Sequence, residues 1–574
     1  MIMRNLSVAK KATFGASILV PLALQACLAT WSGMASAQDP ARAVLTQHND
    51  NARTGAYLSE HTLTPASVAS RGMRLKFTRP TAGIEAQPLY VPAVRTGNGL
   101  HDVVYVATRA DTVYAFDANG ATVPGTPAGS LWMRRLHDGE DVTGRPSARP
   151  VTWGVGSTPV IDLPTNTMYV VYGTANKPRQ GPGEDPDLDV AYWLAALDIR
   201  TGTVLRSTKV TGSVQTGGGS TQFLARNQWN RPGLLLSQGV LYIAFGPRWR
   251  EEQIEYHGWI LGYDAQSFAQ KGTFCTTPRW RGNSQAQHYS QGEGAGIWQG
   301  GGGLAADGAG NVFCLTANGD AAPGSYGNSA LRLTPAADRN GLDTFRVSSF
   351  DAMLDDPAHE RSYKTNDLDL GSGGPLLMAD DTRLVGGGKT GILYLIDSAR
   401  MTRLQKLEQA FTAHGWGGGR YATWDGGPHL HGAPVGWQGA DQNTYFVYAW
   451  AEKDSLKRFT YRRATDRFDA QPLVETSVVA PFRSGPADPV TMPGGMLSLS
   501  ANGRRDGIIW ASLPNALLPD GSDNGGRLLA FDAGSLHELW EGSMPSTHFM
   551  PPTVADGKVI VGTTSGQLLV YELR

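Results

Sequence analysis

The chain has 574 residues, 41% hydrophobic and 18% charged, with a formal charge of −1. That near-neutral balance excludes the strongly basic surface a nucleic-acid or anionic-membrane partner would require. Gly occupies 71 positions, well above the usual share of about 7%, as expected of many tight turns between short strands.

The first predicted element is a targeting segment. Arg4, Lys10 and Lys11 precede an uncharged stretch from Ala12 to Gln38, the basic and apolar regions of a secretory leader. Ala35-Ser36-Ala37 fits cleavage before Gln38, which makes 1–37 a signal peptide and places the mature chain in the periplasm or outside the cell. Leu24-Gln25-Ala26-Cys27 is a rival, lipobox-like site that would make a lipoprotein through Cys27. No other stretch is long and apolar enough to span a bilayer. Residues 38–72 read as an N-terminal arm.

A spare strand, MRLKFTRP at 73–80, comes next, and then one pattern recurs to the end of the chain. A short apolar strand ending in a small residue is followed by a second strand ending in an acidic one. VYVAT with VYAFDANG, MYVVYGT with WLAALDIRTG, and LYIAFG with WILGYDAQS are the first three units. Asp117, Asp198, Asp264, Asp397 and Asp532 close the second strand in five units, and Glu572 does so in the last. Pro-rich and small-residue strands precede each pair, and a fourth strand such as TVLRSTKV follows. Such a repeat, irregular in length but regular in pattern, is that of an all-β radial array of small sheets, a β-propeller. The inner strands start near Ala86, Ser157, Pro232, Gly301, Gly373, Gly432, Gly494 and Pro551, giving eight blades over 73–574. The eighth lacks a fourth strand, so 73–80 is predicted to pair with it and close the ring without an exposed edge. A monomer is expected.

Two cysteines, Cys275 and Cys314, remain beyond the leader. They either bridge neighbouring blades or stay as buried thiols. Neither supports metal binding by cysteine or covalent haem attachment.

Chemistry in such a fold sits on loops, since the strands serve packing. The connection into each inner strand and the connection between strands two and three share one face, a funnel around the channel. The first set of loops carries Glu85, Gln87, Trp153, Asn230, Arg231, Glu293 and Trp298, then Asp367, Asp369, His429, His431, Met492, His548 and Phe549. The second set adds Arg248, His257, Asn318, Asp320, Lys389, Glu452 and Asp454. Arg231, Trp298, Asp369 and Lys389 are candidate ligand or cofactor contacts. Asp367-x-Asp369 serves either a tight turn or a ligand. His429-x-His431 places alternate residues of an extended segment on one face, as loop packing or as metal ligands. Lys389 lies in GGGKTG, but the strand ILYLID follows it where a phosphate-binding loop requires a helix. His431 or His548 with a funnel carboxylate would suit general acid–base chemistry of a carbohydrate-active lyase or hydrolase.

The units of the form VYVAT–VYAFDA–TG–LW resemble those of the pyrroloquinoline-quinone (PQQ) β-propeller superfamily over nearly all of 73–574. The segments VLTQHNDNARTGAYLSEHTLTPASV, IWQGGGG, NDLDLGSGG and VGGGKTG are similar to an exported bacterial PQQ-like branch. The superfamily includes PQQ-dependent alcohol dehydrogenases and a non-enzymatic scaffold of outer-membrane assembly. The resemblance therefore implies two roles. One is a propeller that binds a small-molecule or carbohydrate ligand, or a protein, through its funnel. The other is a PQQ- and Ca²⁺-dependent alcohol or sugar dehydrogenase, with Asp367 as base and Asn318 and Glu252 on the metal. Two departures stand out: the tryptophan floor of the quinone site falls at Gly303, and no adjacent cysteine pair occurs. Enzymatic activity is left open.

Overall fold

The computed structural model describes residues 39–137, 154–175, 190–216, 219–248, 256–279, 294–319, 321–322, 324–337, 343–352, 369–378, 380–407, 410–411, 428–470, 474–481, 493–516, 518 and 522–574. The leader reading and Cys27 lie outside them. Residues Gln38–Arg574 form one compact unit.

Eight antiparallel sheets of four strands follow one another along the chain, three of them with one added short strand. Their inner strands are Leu89–Thr96, Val160–Asp162, Leu235–Ser237, Ala305–Ala306, Leu376–Leu377, Val435–Trp437, Met496–Asn502 and Thr553–Ala555. Each begins within four residues of its predicted start, and the sheets form an eight-bladed β-propeller. The ring closes as the missing fourth strand requires. Met73–Pro80 pairs antiparallel with Gln567–Leu573, the outer described strand of blade eight. No helix among the described residues is long and apolar enough to cross a membrane.

The near-continuous apolar runs have a direct cause. A strand alternates its side chains between two faces, and each blade is covered on both. In Val240–Pro247, Leu241, Ile243 and Phe245 pack toward blade two, while Tyr242 and Ala244 pack toward blade four. In Arg505–Pro514, Ile509, Ala511 and Leu513 face blade six, while Ile508 and Trp510 face blade eight. Every blade interface thus holds an apolar core, the two on either side of blade one merging into one cluster, and each fully buried Val, Leu or Ile contributes about 1.5–3 kcal/mol.

The cysteine alternatives resolve on the same geometry. Cys275 lies in the core between blades two and three, Cys314 in that between blades three and four. Blade three stands between them, so no disulfide joins them, and both are buried. Burial alone raises the Cys314 thiol well above its ordinary range.

The recurring acidic residues are turn formers. Asp264 Oδ1 accepts from the backbone N–H of Gln266 at 3.1 Å and Ser267 at 2.8 Å. Asp117, Asp198, Asp397 and Asp532 do the same for the residues after them. Such side-chain-to-backbone bonds mimic a turn. Glu572 instead pairs with Arg74 and Lys76 on the closing strand, at 2.5 Å each.

The N-terminal arm does more than precede the ring. Eight inner strands present unpaired backbone edges to the channel, which a sheet normally has to cover. Residues 42–57 supply the partners. Val44 exchanges bonds with Tyr90 in blade one, and Leu45 O accepts from Ile161 in blade two. Asn51 O, Ala52 O, Thr54 O and Gly55 O accept from Ala306, Leu377, Gly436 and Leu499, in blades four to seven. Thr46 Oγ1 and Asn51 Nδ2 donate to Leu234 O and Leu236 O at blade three. Arg42 and the Tyr57 hydroxyl reach Asp556, at the first turn of blade eight. The arm therefore touches every blade.

Arg53 holds this arm from inside. It is fully buried and donates to Leu304 O at 2.7 Å, Gln47 O at 2.7 Å, Thr46 Oγ1 at 2.8 Å and Leu234 O at 3.0 Å. Burial lowers its pKa to about 10, against the attraction of Asp50, so the guanidinium stays charged at neutral pH. His48 beside it is pushed down to about 4 by burial and by the Arg53 charge.

Candidate functional site

The loops leading into the inner strands place three groups of side chains on the funnel face. The first is built from blades one, three, four and eight. Arg231 stacks among three rings, its guanidinium carbon 4.4 Å from the centre of Phe549, 5.3 Å from Trp298 and 5.6 Å from Trp229. Arg109 covers Trp229 from another side at 4.9 Å and pairs with Glu85 at 2.6 Å. His548 Nδ1 stands 3.7 Å from the other Glu85 oxygen. Burial opposes ionisation of Glu85, but Arg109, His548 and Arg231 together hold its pKa far below the carboxylate range. Glu85 is thus a fixed anion. The Trp298 indole N–H is buried without an acceptor among the described residues. Phe549 adopts a left-handed backbone, φ 53°, which is costly for a bulky residue; it turns its ring onto Arg231 and against His431.

The second group joins blades four and five. Asp369 is buried; one oxygen accepts from the Asn318 N–H at 3.0 Å and the other from Lys389 Nζ at 2.6 Å. The Asn318 side-chain oxygen accepts from Asn328 at 3.1 Å. Lys389 N–H closes the unit on the Asp369 carbonyl at 3.0 Å.

The third group belongs to blade six. His429 and His431 lie on the segment leading into its inner strand, and Glu452 lies between its second and third strands. A backbone bond from Glu452 N–H to His429 O, 3.0 Å, ties the two loops. His429 Nδ1 is 3.5 Å from Glu452 Oε2, and His431 Nε2 is 3.3 Å from Oε1. Burial pushes His429 down to about 3. Burial acts to raise Glu452, but His431 and His429 outweigh it and lower its pKa. The His431 ring meets Phe549 edge-on at 5.8 Å, so this group adjoins the first.

Of the predicted site residues, Arg231, Trp298, Asn318, Asp369, Lys389 and His431 sit in these three groups. Asp367 and Glu252 fall outside the described residues, as do Trp153, Glu293, Asp320 and Met492. Other funnel candidates serve the scaffold. Gln87 accepts from His48 N–H at 3.0 Å and anchors the arm. Asn230 bridges Ser157 and Ala244 O, His257 meets Thr277, and Asp454 is buried against Lys457 at 2.6 Å. Trp229, which the sequence reading passed over, completes the aromatic group; its signal was an aromatic residue two positions before Arg231.

No protein-family model and no curated protein matches the chain. Solved structures do resemble it. A quinohemoprotein alcohol dehydrogenase from Comamonas testosteroni superposes with a TM-score of 0.56 and 12% identity, over 92% of this chain and 80% of that one. A quinohemoprotein alcohol dehydrogenase from Pseudomonas putida HK5 gives 0.55 and 13%, over 93% and 80%. A europium-containing methanol dehydrogenase gives 0.55 and 12%, over 93% and 98%. At such identities the shared property is the propeller fold.

The quinone–calcium group that this fold brings to mind does not fit the described residues. The Asn318 oxygen and both Asp369 oxygens are already engaged. The floor position is closed: a Cβ at Gly303 would lie 2.8 Å from Gly233 O and 3.2 Å from Arg53 Nη2. A planar cofactor needs an aromatic surface to stack on, and the arm fills the space where one would stand.

Proposed function

We propose that the chain is an exported propeller that binds a small ring-bearing ligand of the carbohydrate class through its funnel face, without quinone redox chemistry. The observation that carries this reading is the Arg231 group. Three rings around one guanidinium offer apolar faces for a sugar ring. The unpartnered Trp298 N–H, Arg109 and Glu85 surround them with polar groups for hydroxyls or a carboxylate, the mixed lining of small-molecule sites. Acid–base catalysis by His548 finds less support, because Arg109 keeps Glu85 ionised. The test is calorimetry of the full chain against neutral and acidic oligosaccharides, with PQQ plus Ca²⁺ as the contrast. Saturable saccharide binding weakened at least tenfold by Trp298→Ala is expected, with none for PQQ. Micromolar PQQ binding with dehydrogenase activity would replace this reading by the quinoprotein one.

A further inference from the structure

We propose that His429, His431 and Glu452 bind one divalent first-row transition ion at the funnel face of blade six. One ligand atom from each lies within 4.8 Å of the other two, and His431 and Glu452 are 4% and 8% exposed. Among the described residues, the Nε2 atoms of both histidines and Oε1 of Glu452 are buried without a hydrogen-bond partner. The 3.3 Å approach of His431 to Glu452 is a charge-range contact and not an aligned hydrogen bond. Buried polar atoms in native proteins are nearly always satisfied, and exceptions call for an unseen partner such as an ion or water.

The donor set selects the partner. Two imidazoles and one carboxylate suit Zn²⁺ and its first-row neighbours, whereas Ca²⁺ and Mg²⁺ demand oxygen. Spacing is within reach: tetrahedral bonds of about 2.1 Å put ligand atoms roughly 3.4 Å apart, and here His431 Nε2 stands 3.3 Å from one Glu452 oxygen and His429 Nδ1 3.5 Å from the other. The backbone bond between Glu452 and His429 holds the two loops in register. Lys389 and Lys453 are the cations acting on the cluster. Asp369 holds Lys389 at 2.6 Å, and Glu452 supplies the anion that offsets the incoming ion. Three protein donors leave one tetrahedral position for water or a ligand oxygen, the arrangement of reactive rather than structural sites.

The site stands apart from the saccharide reading, and so does its test. The full chain, stripped with chelator, is titrated with Zn²⁺ by chelator competition and with Co²⁺ by visible absorption. One ion per chain is expected, with Co²⁺ bands of a nitrogen–oxygen site and a thermal midpoint that rises with Zn²⁺. Glu452→Gln and His431→Gln, checked for native circular dichroism without metal, should each weaken binding at least 100-fold and abolish that rise. The wild-type titration is decisive even if a variant misfolds. No stoichiometric Zn²⁺ or Co²⁺ uptake by the folded chain, or equal uptake by both folded variants, overturns the proposal.

Discussion

Arg53 and Glu452 are both charged and both withdrawn from solvent, yet one is saturated with partners and the other is not. The Arg53 guanidinium donates four hydrogen bonds, two inside the arm and two to blades three and four. Glu452 faces two histidines in blade six, with one oxygen unpartnered. A buried charge survives only if it is paired or hydrogen-bonded. Saturation marks a group whose work is to hold the fold; an open valence marks a group kept ready for something that binds. The protein places the first where the blades converge on the arm and the second on the funnel face.

Breaking the saturated side should have the largest effect. Arg53→Ala strands the Gln47 and Leu304 carbonyls that its guanidinium now serves, leaves Leu234 O only its bond from Thr46, and loosens the arm from blades three and four. Removing one partner of a buried charged network typically costs about 3–5 kcal/mol. Denaturant unfolding of the variant should show that loss, and proteolysis should cut first within 39–72. A loss under about 1 kcal/mol would mean the arm does not brace the ring.

His48 sharpens the same side through pH. Its folded pKa, about 4, lies below the ordinary 6.5 because burial and Arg53 disfavour the charged ring. Between those values the unfolded chain binds a proton that the folded chain refuses. This contribution is therefore fully present above pH 6.5 and is lost as pH falls toward 4. Relative to His48→Gln, the wild type should lose about 2 kcal/mol between pH 7 and pH 5. Parallel stability curves for the two proteins over that range would remove His48 from the account.

The ring was legible because its signals are local and repeated. Strand alternation, turn-forming aspartates and the missing eighth outer strand each appear within a few residues, and together they give blade number and closure. The arm was not legible in the same way. TQHNDNARTG is polar and aperiodic, and most of its partners are backbone groups spread from Leu234 to Leu499, which no side-chain pattern encodes. The blade-six cluster was half legible. His429 and His431 show as a pair, and the rule that a blade's two loop sets share a face puts Glu452 on their side. What sequence does not supply is the backbone bond that sets their separation. The aromatic group required Trp229 and Phe549 to gather around Arg231 from blades three and eight, which are far apart in sequence and brought near only by closure of the ring.

The smallest expected effect comes from the open side. Without metal, Glu452→Gln removes a charge but no well-formed side-chain hydrogen bond, and the backbone bond to His429 remains. The amide has the same shape, so packing is kept. The cost of an unsatisfied buried carboxylate in the wild type falls away, while its attraction to His429 and His431 is lost. Replacing an unsatisfied buried polar group is close to neutral when shape is preserved, so a change within about 1 kcal/mol is expected by denaturant unfolding in chelator. Set beside Arg53→Ala, the difference would separate a charge that supports the fold from one that waits for a partner. A loss of about 3 kcal/mol or more without metal would instead show that Glu452 is a structural ion-pair partner of the two histidines.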